Sequence, residues 1–128
     1  SHGGTLTRDS RYLWVADRAA NLITVVETKT DFVVNEFSLI NQNSADPAPD
    51  LMGISPDGNR AYVTLRGPNP LTGNFPGVNN AVGSTPGLGI IRVTQGGRAG
   101  ELQAIAPVSH IIDGVERADP HGIGVRSK

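Results

Sequence analysis

The sequence predicts an all-β fold built from repeated four-stranded antiparallel sheets. Residues 3–18 align without a gap with residues 51–66, and apolar residues, a turn Asp and a closing Arg fall in the same places. The chain also contains 16 Gly and 9 Pro, which is usual for short strands joined by turns. No segment has the 3.6-residue period of an amphipathic helix. A repeat at a spacing of 48 positions is typical of solenoids, propellers and arrays.

The first unit, residues 1–40, contains four predicted strands. A short strand of apolar and small residues covers 3–7, and a turn leads to a second strand at 12–16, which is rich in residues that suit a pleated surface. Further turns lead to a third strand at 22–28 and a fourth at 32–39. Because the connections are short, consecutive strands are expected to pair antiparallel.

The second unit, residues 50–112, has the same order of elements, with strands expected at 51–55, 60–65, 88–94 and 101–112. Pro56-Asp57-Gly58-Asn59 is a strong turn signal, since Pro presets φ and Gly accepts a positive φ. An insertion at 67–87, rich in Gly, Pro, Asn, Thr and Ser, is either a binding loop or an excursion without fixed structure. Residues 121–126 match the start of the first unit and are predicted to form the innermost strand of a third.

Four sequential antiparallel strands in each unit predict the blades of a β-propeller. A small sheet cannot bury both faces alone, whereas radial stacking lets each sheet cover the next. Residues 1–128 then form a single partial domain with two blades and the first strand of a third. Since propellers have about four to eight blades, we expect a fragment of a longer chain; the alternative is a subunit that completes a ring by oligomerising. The open blade edges predict self-association.

Several motifs indicate a family. Ser55-Pro56-Asp57-Gly58, then Tyr62-Val63-Thr64 and a closing Arg66, resemble the YVTN-type β-propeller repeat, and the first unit carries the same pattern at 13–18 and 23–28. The resemblance covers nearly the whole chain except the insertion. It implies a propeller fold but not one function, because the family includes surface-layer proteins, periplasmic binding proteins and lactonase-like seven-bladed enzymes.

Composition excludes several classes of function. Lys and Arg number 11 against 12 Asp and Glu, no block of like charge is present, and aromatic residues make up only 5% of the chain, so we expect no nucleic-acid partner. No apolar run approaches the roughly 20 residues that span a bilayer. Cysteine is absent, which excludes disulfides, thiolate metal sites and a Cys nucleophile. A periplasmic or extracellular location is compatible with this composition.

Three polar residues occupy matching places where the chain enters an innermost strand. These are His2, Asp50 and His121, separated by 48 and 71 positions. In a propeller this place lies at the mouth of the central channel. Imidazole and carboxylate groups there would form a ligand site, with His2 and His121 as metal ligands, because these groups suit zinc, copper or iron. The alternative is that they cap strand entries and face water.

Arg18 and Arg66 are equivalent in the repeat, because each follows the second strand of its unit. Such an Arg can line one face of the ring and bind a carboxylate or phosphate in a bidentate manner. The alternative is that it braces a turn or pairs with an acid of the neighbouring blade. His110 is expected to form hydrogen bonds at the surface or between blades.

The sequence therefore predicts a scaffold that binds a small molecule or another protein, with no specific activity assignable. The alternative is part of a lactonase-like or metal-dependent hydrolase with its site at the central channel, since the resemblance implies hydrolysis of a cyclic ester by activated water. A structural role in a surface layer is a third interpretation. No cofactor is expected beyond a divalent metal ion at His2 and His121, and whether the chain is an enzyme stays open.

Overall fold

The computed structural model describes residues 1–70 and 82–127, and this part of the chain is all-β. Strands β1 to β4 form sheet 1 and strands β5 to β8 form sheet 2, each antiparallel and in sequential order. Sheet 1 consists of Gly4–Leu6, Tyr12–Asp17, Leu22–Glu27 and Phe32–Ser38; sheet 2 consists of Pro49–Ile54, Arg60–Leu65, Gly87–Thr94 and Ala99–Pro107. The predicted all-β class and the two four-stranded antiparallel sheets are confirmed.

The end of the second unit differs from the prediction. The expected strand at 101–112 ends at Pro107, which has no N–H to donate to a ladder. A separate hairpin follows, in which β9 (Ile111–Ile112) pairs with β10 (Val115–Glu116). Its turn residues Asp113 and Gly114 have φ of 50° and 75°, the geometry that the Asp-Gly pair favours in two-residue hairpins.

The core lies between the two sheets. Trp14 is fully buried, its Nε1 donates to the backbone oxygen of Gly97 at 2.8 Å, and Phe37 meets its ring edge-on at a centroid distance of 5.0 Å. Gly97 belongs to a short 3₁₀ turn, Gln95–Gly97, between β7 and β8. A Cβ on Gly100 would lie 2.8 Å from the Trp14 ring, so the indole packs on bare backbone of sheet 2.

The two sheets use opposite faces for this contact. In β2 the buried apolar residues are Tyr12, Trp14 and Ala16, whereas in β6 they are Ala61, Val63 and Leu65. The position 48 residues after Trp14 is Tyr62, which is only partly buried. Residues at equivalent positions in the repeat therefore meet different surroundings.

The structure does not confirm the predictions for residues 121–126 and for the insertion at 67–87. Residues 121–126 do not form the expected strand, because no backbone hydrogen bonds pair them with a strand among the described residues. They run against β5, where a Cβ on Gly53 would lie 2.7 Å from Val125. Of the insertion at 67–87, residues 71–81 lie outside the described part of the chain.

The described strands form open sheets rather than a closed ring. Within residues 1–70 and 82–127 no helix is long and apolar enough to cross a membrane.

Candidate functional site

The predicted site residues meet at the edge where β5 begins. We call this group the entry cluster; its members are His2, Arg18, Asp50, Arg66, Asp119 and His121. Asp50 lies in β5 at an irregularity of the pairing with β6, between Pro49 and Met52, and its side chain is fully buried. Irregularities of this kind occur at sheet edges and next to active sites, where they redirect a side chain.

His2 reaches this edge because β1 comes very close to β5. The His2 N–H donates to the Ala16 oxygen at 2.7 Å, and the Ala16 N–H donates to the Gly3 oxygen at 3.0 Å. Gly3 has a φ of +82°, and a Cβ there would lie 2.7 Å from the Asp50 carbonyl oxygen. Only glycine fits this conformation and this close approach.

The Asp50 carboxylate is the centre of the entry cluster. Its Oδ2 accepts a hydrogen bond from Arg66 Nη1 at 2.8 Å and lies 2.6 Å from His121 Nδ1. Arg18 Nη1 lies 3.5 Å from the same oxygen. Its Oδ1 is 3.2 Å from His2 Nε2, yet this buried oxygen has no hydrogen-bond partner among the described residues. Buried charges require such pairing, so the carboxylate is satisfied on one side only.

Arg66 and Asp119 form a bidentate pair beside Asp50. Arg66 Nε and Nη2 donate to the two carboxylate oxygens of Asp119 at 2.7 Å each, and the Gly67 N–H donates to Asp119 Oδ1 at 3.2 Å. These hydrogen bonds raise the pKa of Arg66. Burial is the largest single influence on Asp119 and opposes its ionisation, but the hydrogen bonds from Arg66 and from the Gly67 N–H, together with nearby positive charge, outweigh burial and hold the pKa of Asp119 below its usual value. The Arg66–Asp119 ion pair therefore holds the segment before His121 against the end of β6.

The two imidazoles lie above the buried carboxylate. Their rings are stacked with centroids 5.6 Å apart and an interplanar angle of 25°. The His2 side chain is 40% exposed and that of His121 is 51% exposed. Thr64 Oγ1 donates to the backbone oxygen of His121 at 2.8 Å, which holds this residue against β6. Both rings are therefore accessible to a ligand while their backbones are fixed.

This geometry permits two kinds of chemistry. One ligand atom each from His2, Asp50 and His121 lies within 4.8 Å of the others, so the three could hold a metal ion. In addition, the short contact between His121 Nδ1 and Asp50 Oδ2 orients one imidazole on a buried carboxylate, as in general bases of hydrolases.

All five residues predicted as ligand or metal contacts belong to the entry cluster, namely His2, Arg18, Asp50, Arg66 and His121. Arg66 also pairs with acids, which is the structural alternative considered for it. Asp119 was not predicted; the signal that could have indicated it is an acid two residues before His121, within reach of a repeated Arg.

His110 lies outside the entry cluster. It is exposed, and its backbone N–H donates to Glu116 Oε1 at 2.8 Å. Glu116 also accepts from the Ser109 hydroxyl and from the Ala118 N–H, and these bonds, that of Ser109 first, lower its pKa to about 2. The carboxylate therefore closes the loop that carries β9 and β10.

No protein-family model matches the chain, and no curated protein matches it. The likeness to YVTN-type repeats therefore stays a prediction from the motifs in the sequence.

Proposed function

We propose that this chain is part of a β-propeller of the YVTN type and that it binds a ligand at the entry cluster. The sequential four-stranded order of both sheets and their face-to-face packing support the propeller. With this fold the entry cluster lies at the mouth of the central channel. A periplasmic or extracellular location and association through open sheet edges belong to the same proposal.

The observation that carries the ligand-binding role is the arrangement of one fully buried carboxylate beneath two half-exposed imidazoles. A cluster whose only task is to brace the fold would be expected to satisfy its buried polar atoms. Here Asp50 Oδ1 and Arg18 Nη1 are both buried and have no hydrogen-bond partner among the described residues. A bound ligand would supply these contacts, and convergent polar groups of this kind are typical of binding sites.

The proposal can be tested by thermal shift and calorimetry with small carboxylates, inorganic phosphate and lactones. We expect at least one of these probes to raise the melting temperature of the wild-type chain, and we expect Arg18→Gln to abolish the shift. Arg92→Gln is the matched control, because Arg92 forms an exposed ion pair with Glu101, away from the entry cluster. No response to any probe, or an equal loss in both variants, would contradict the proposal.

A second candidate is a hydrolase that acts on cyclic esters. The 2.6 Å contact between His121 Nδ1 and Asp50 Oδ2 favours it, because a carboxylate on Nδ1 leaves Nε2 of the ring as the proton acceptor. Lactone turnover that is lost in His121→Ala and kept in His110→Ala would support this candidate. Turnover that is absent from the wild type would exclude it.

A further inference from the structure

Asp50 Oδ1 is one of two buried side-chain atoms that lack a hydrogen-bond partner in the described part of the chain. It belongs to a fully buried carboxylate and has no hydrogen-bond partner among the described residues, although Oδ2 of the same group has several. An unsatisfied buried oxygen costs about 1–3 kcal/mol, more when it is charged. The environment of this oxygen therefore indicates a missing positive or donating partner.

The position of His2 relative to Asp50 Oδ1 indicates what kind of partner is missing. His2 Nε2 lies 3.2 Å from Asp50 Oδ1, within the distance range of a hydrogen bond, but the two atoms do not form one. Ligands that surround zinc at about 2.0–2.1 Å in a tetrahedron are separated by about 3.4 Å. Two acceptor atoms at this spacing fit two corners of a metal site.

The geometry points to a divalent transition-metal site of the zinc or copper class, formed by His2 Nε2, Asp50 Oδ1 and His121. This inference rests on the proposed function, because it names the ligand class of the entry cluster. The largest separation among the three ligand atoms is 4.8 Å or less, so a small closing movement brings all of them to one ion. Both imidazoles are about half exposed, which leaves their rings free to make it.

The donor atoms of the entry cluster favour one class of metal. Arg66 and Arg18 lie on the Oδ2 side of Asp50, and one carboxylate cannot supply the six or more oxygens that Ca²⁺ prefers. Imidazole nitrogens suit zinc and copper better. The hydrogen bond from Arg66 to Oδ2 remains in place and orients the carboxylate, a supporting role typical of groups behind a metal ligand.

The test is a titration of the chelator-treated 128-residue chain with Zn²⁺ and Cu²⁺ alone, followed by calorimetry, with Co²⁺ absorption to report coordination. We expect one ion per chain, with an affinity reduced about tenfold or more in His2→Ala and in His121→Ala. His110→Ala is the matched control, since His110 is the one other His of the chain, and it should bind as the wild type does. Electron paramagnetic resonance of the Cu²⁺ form should show two nitrogen ligands.

Three results would overturn the inference: no stoichiometric ion in the wild type, wild-type affinity in both His2→Ala and His121→Ala, or a loss of affinity in His110→Ala as large as theirs. Asp50→Asn removes the negative charge that pairs with buried Arg66, so its fold must first be checked by circular dichroism. The two His variants do not depend on that check. Binding of an organic probe to metal-free protein that takes up no ion would refute the metal site while leaving the proposed function standing. Metal uptake by a protein that binds none of the organic probes would confirm the metal site and contradict the proposed binding of an organic ligand.

Discussion

Arg18 and Arg66 occupy the same position of the repeat, but the structure uses them differently. Arg66 is almost fully buried and is held by Asp50 and by both oxygens of Asp119. Arg18 is 11% exposed, lies 3.5 Å from Asp50, and its Nη1 has no hydrogen-bond partner among the described residues. Arg66 therefore stabilises the fold through its ion pairs, whereas Arg18 keeps one donor atom without a hydrogen-bond partner among the described residues.

One position explains the difference. Asp119 lies two residues before His121, and the equivalent position two residues before Asp50 is Ala48. Ala48 is fully buried and has no carboxylate to offer. Arg18 consequently lacks the bidentate acid that fixes Arg66, and its guanidinium stays directed at the entry cluster. The repeat therefore leaves one of two equivalent guanidinium groups without a bidentate acid, because one partner residue is absent.

The largest effect is expected for a different equivalent pair, Trp14 and Tyr62. Trp14→Ala should lower the free energy of unfolding by about 3–5 kcal/mol, because it opens a cavity between the sheets and removes the donor to the Gly97 oxygen. Tyr62→Ala should cost clearly less, since Tyr62 is only partly buried. Urea unfolding followed by circular dichroism measures both, and equal losses would show that the two faces do not differ as described.

Removal of the ion pair between Asp119 and Arg66 should have the next largest effect on the free energy of unfolding. Asp119→Ala should cost about 3 kcal/mol in urea unfolding, because it breaks a partly buried bidentate ion pair and takes one partner from the buried Arg66. Arg18→Ala should cost about 1 kcal/mol or less. If the two variants lose the same stability, the contrast between the two Arg side chains is wrong.

The turns of the two sheets should respond alike. Thr7 Oγ1 donates to Asp9 at 2.8 Å, and Ser55 Oγ donates to Asp57 at 2.6 Å, so each Asp closes the same turn. Hydrogen bonds lower the pKa of both: for Asp9 that of the Arg11 N–H is the main cause, for Asp57 that of the Ser55 hydroxyl. Asp9→Ala and Asp57→Ala should therefore lower the urea midpoint by similar small amounts. A large difference between them would contradict the equivalence of the turns.

The smallest expected effect is the change in stability at acid pH that depends on Glu116. Folding lowers the pKa of Glu116 from 4.5 to about 2, so its contribution is present above pH 4.5 and is lost as the pH falls toward 2. Glu116→Gln should flatten this part of the stability profile, measured by thermal unfolding between pH 5 and 2. An unchanged profile would show that Glu116 does not stabilise the loop.

The repeat made the strands and turns of both sheets predictable, because apolar alternation and turn residues are local signals. It also gave His2, Asp50 and His121 matching positions, although the segment after His121 is not a strand. The pairing of Asp119 with Arg66 could not be read from the pattern, since it joins residues 53 positions apart. The hairpin at Asp113-Gly114 had a local signal that the strand assigned to 101–112 obscured.

The hydrogen bond from Trp14 Nε1 to the Gly97 oxygen links the two sheets at one point. Trp14 is the only tryptophan of the chain, and its indole is excluded from water. Its fluorescence therefore reports on the contact between the two sheets. A red shift in emission that precedes the loss of β signal would reveal that the sheets separate before either one unravels.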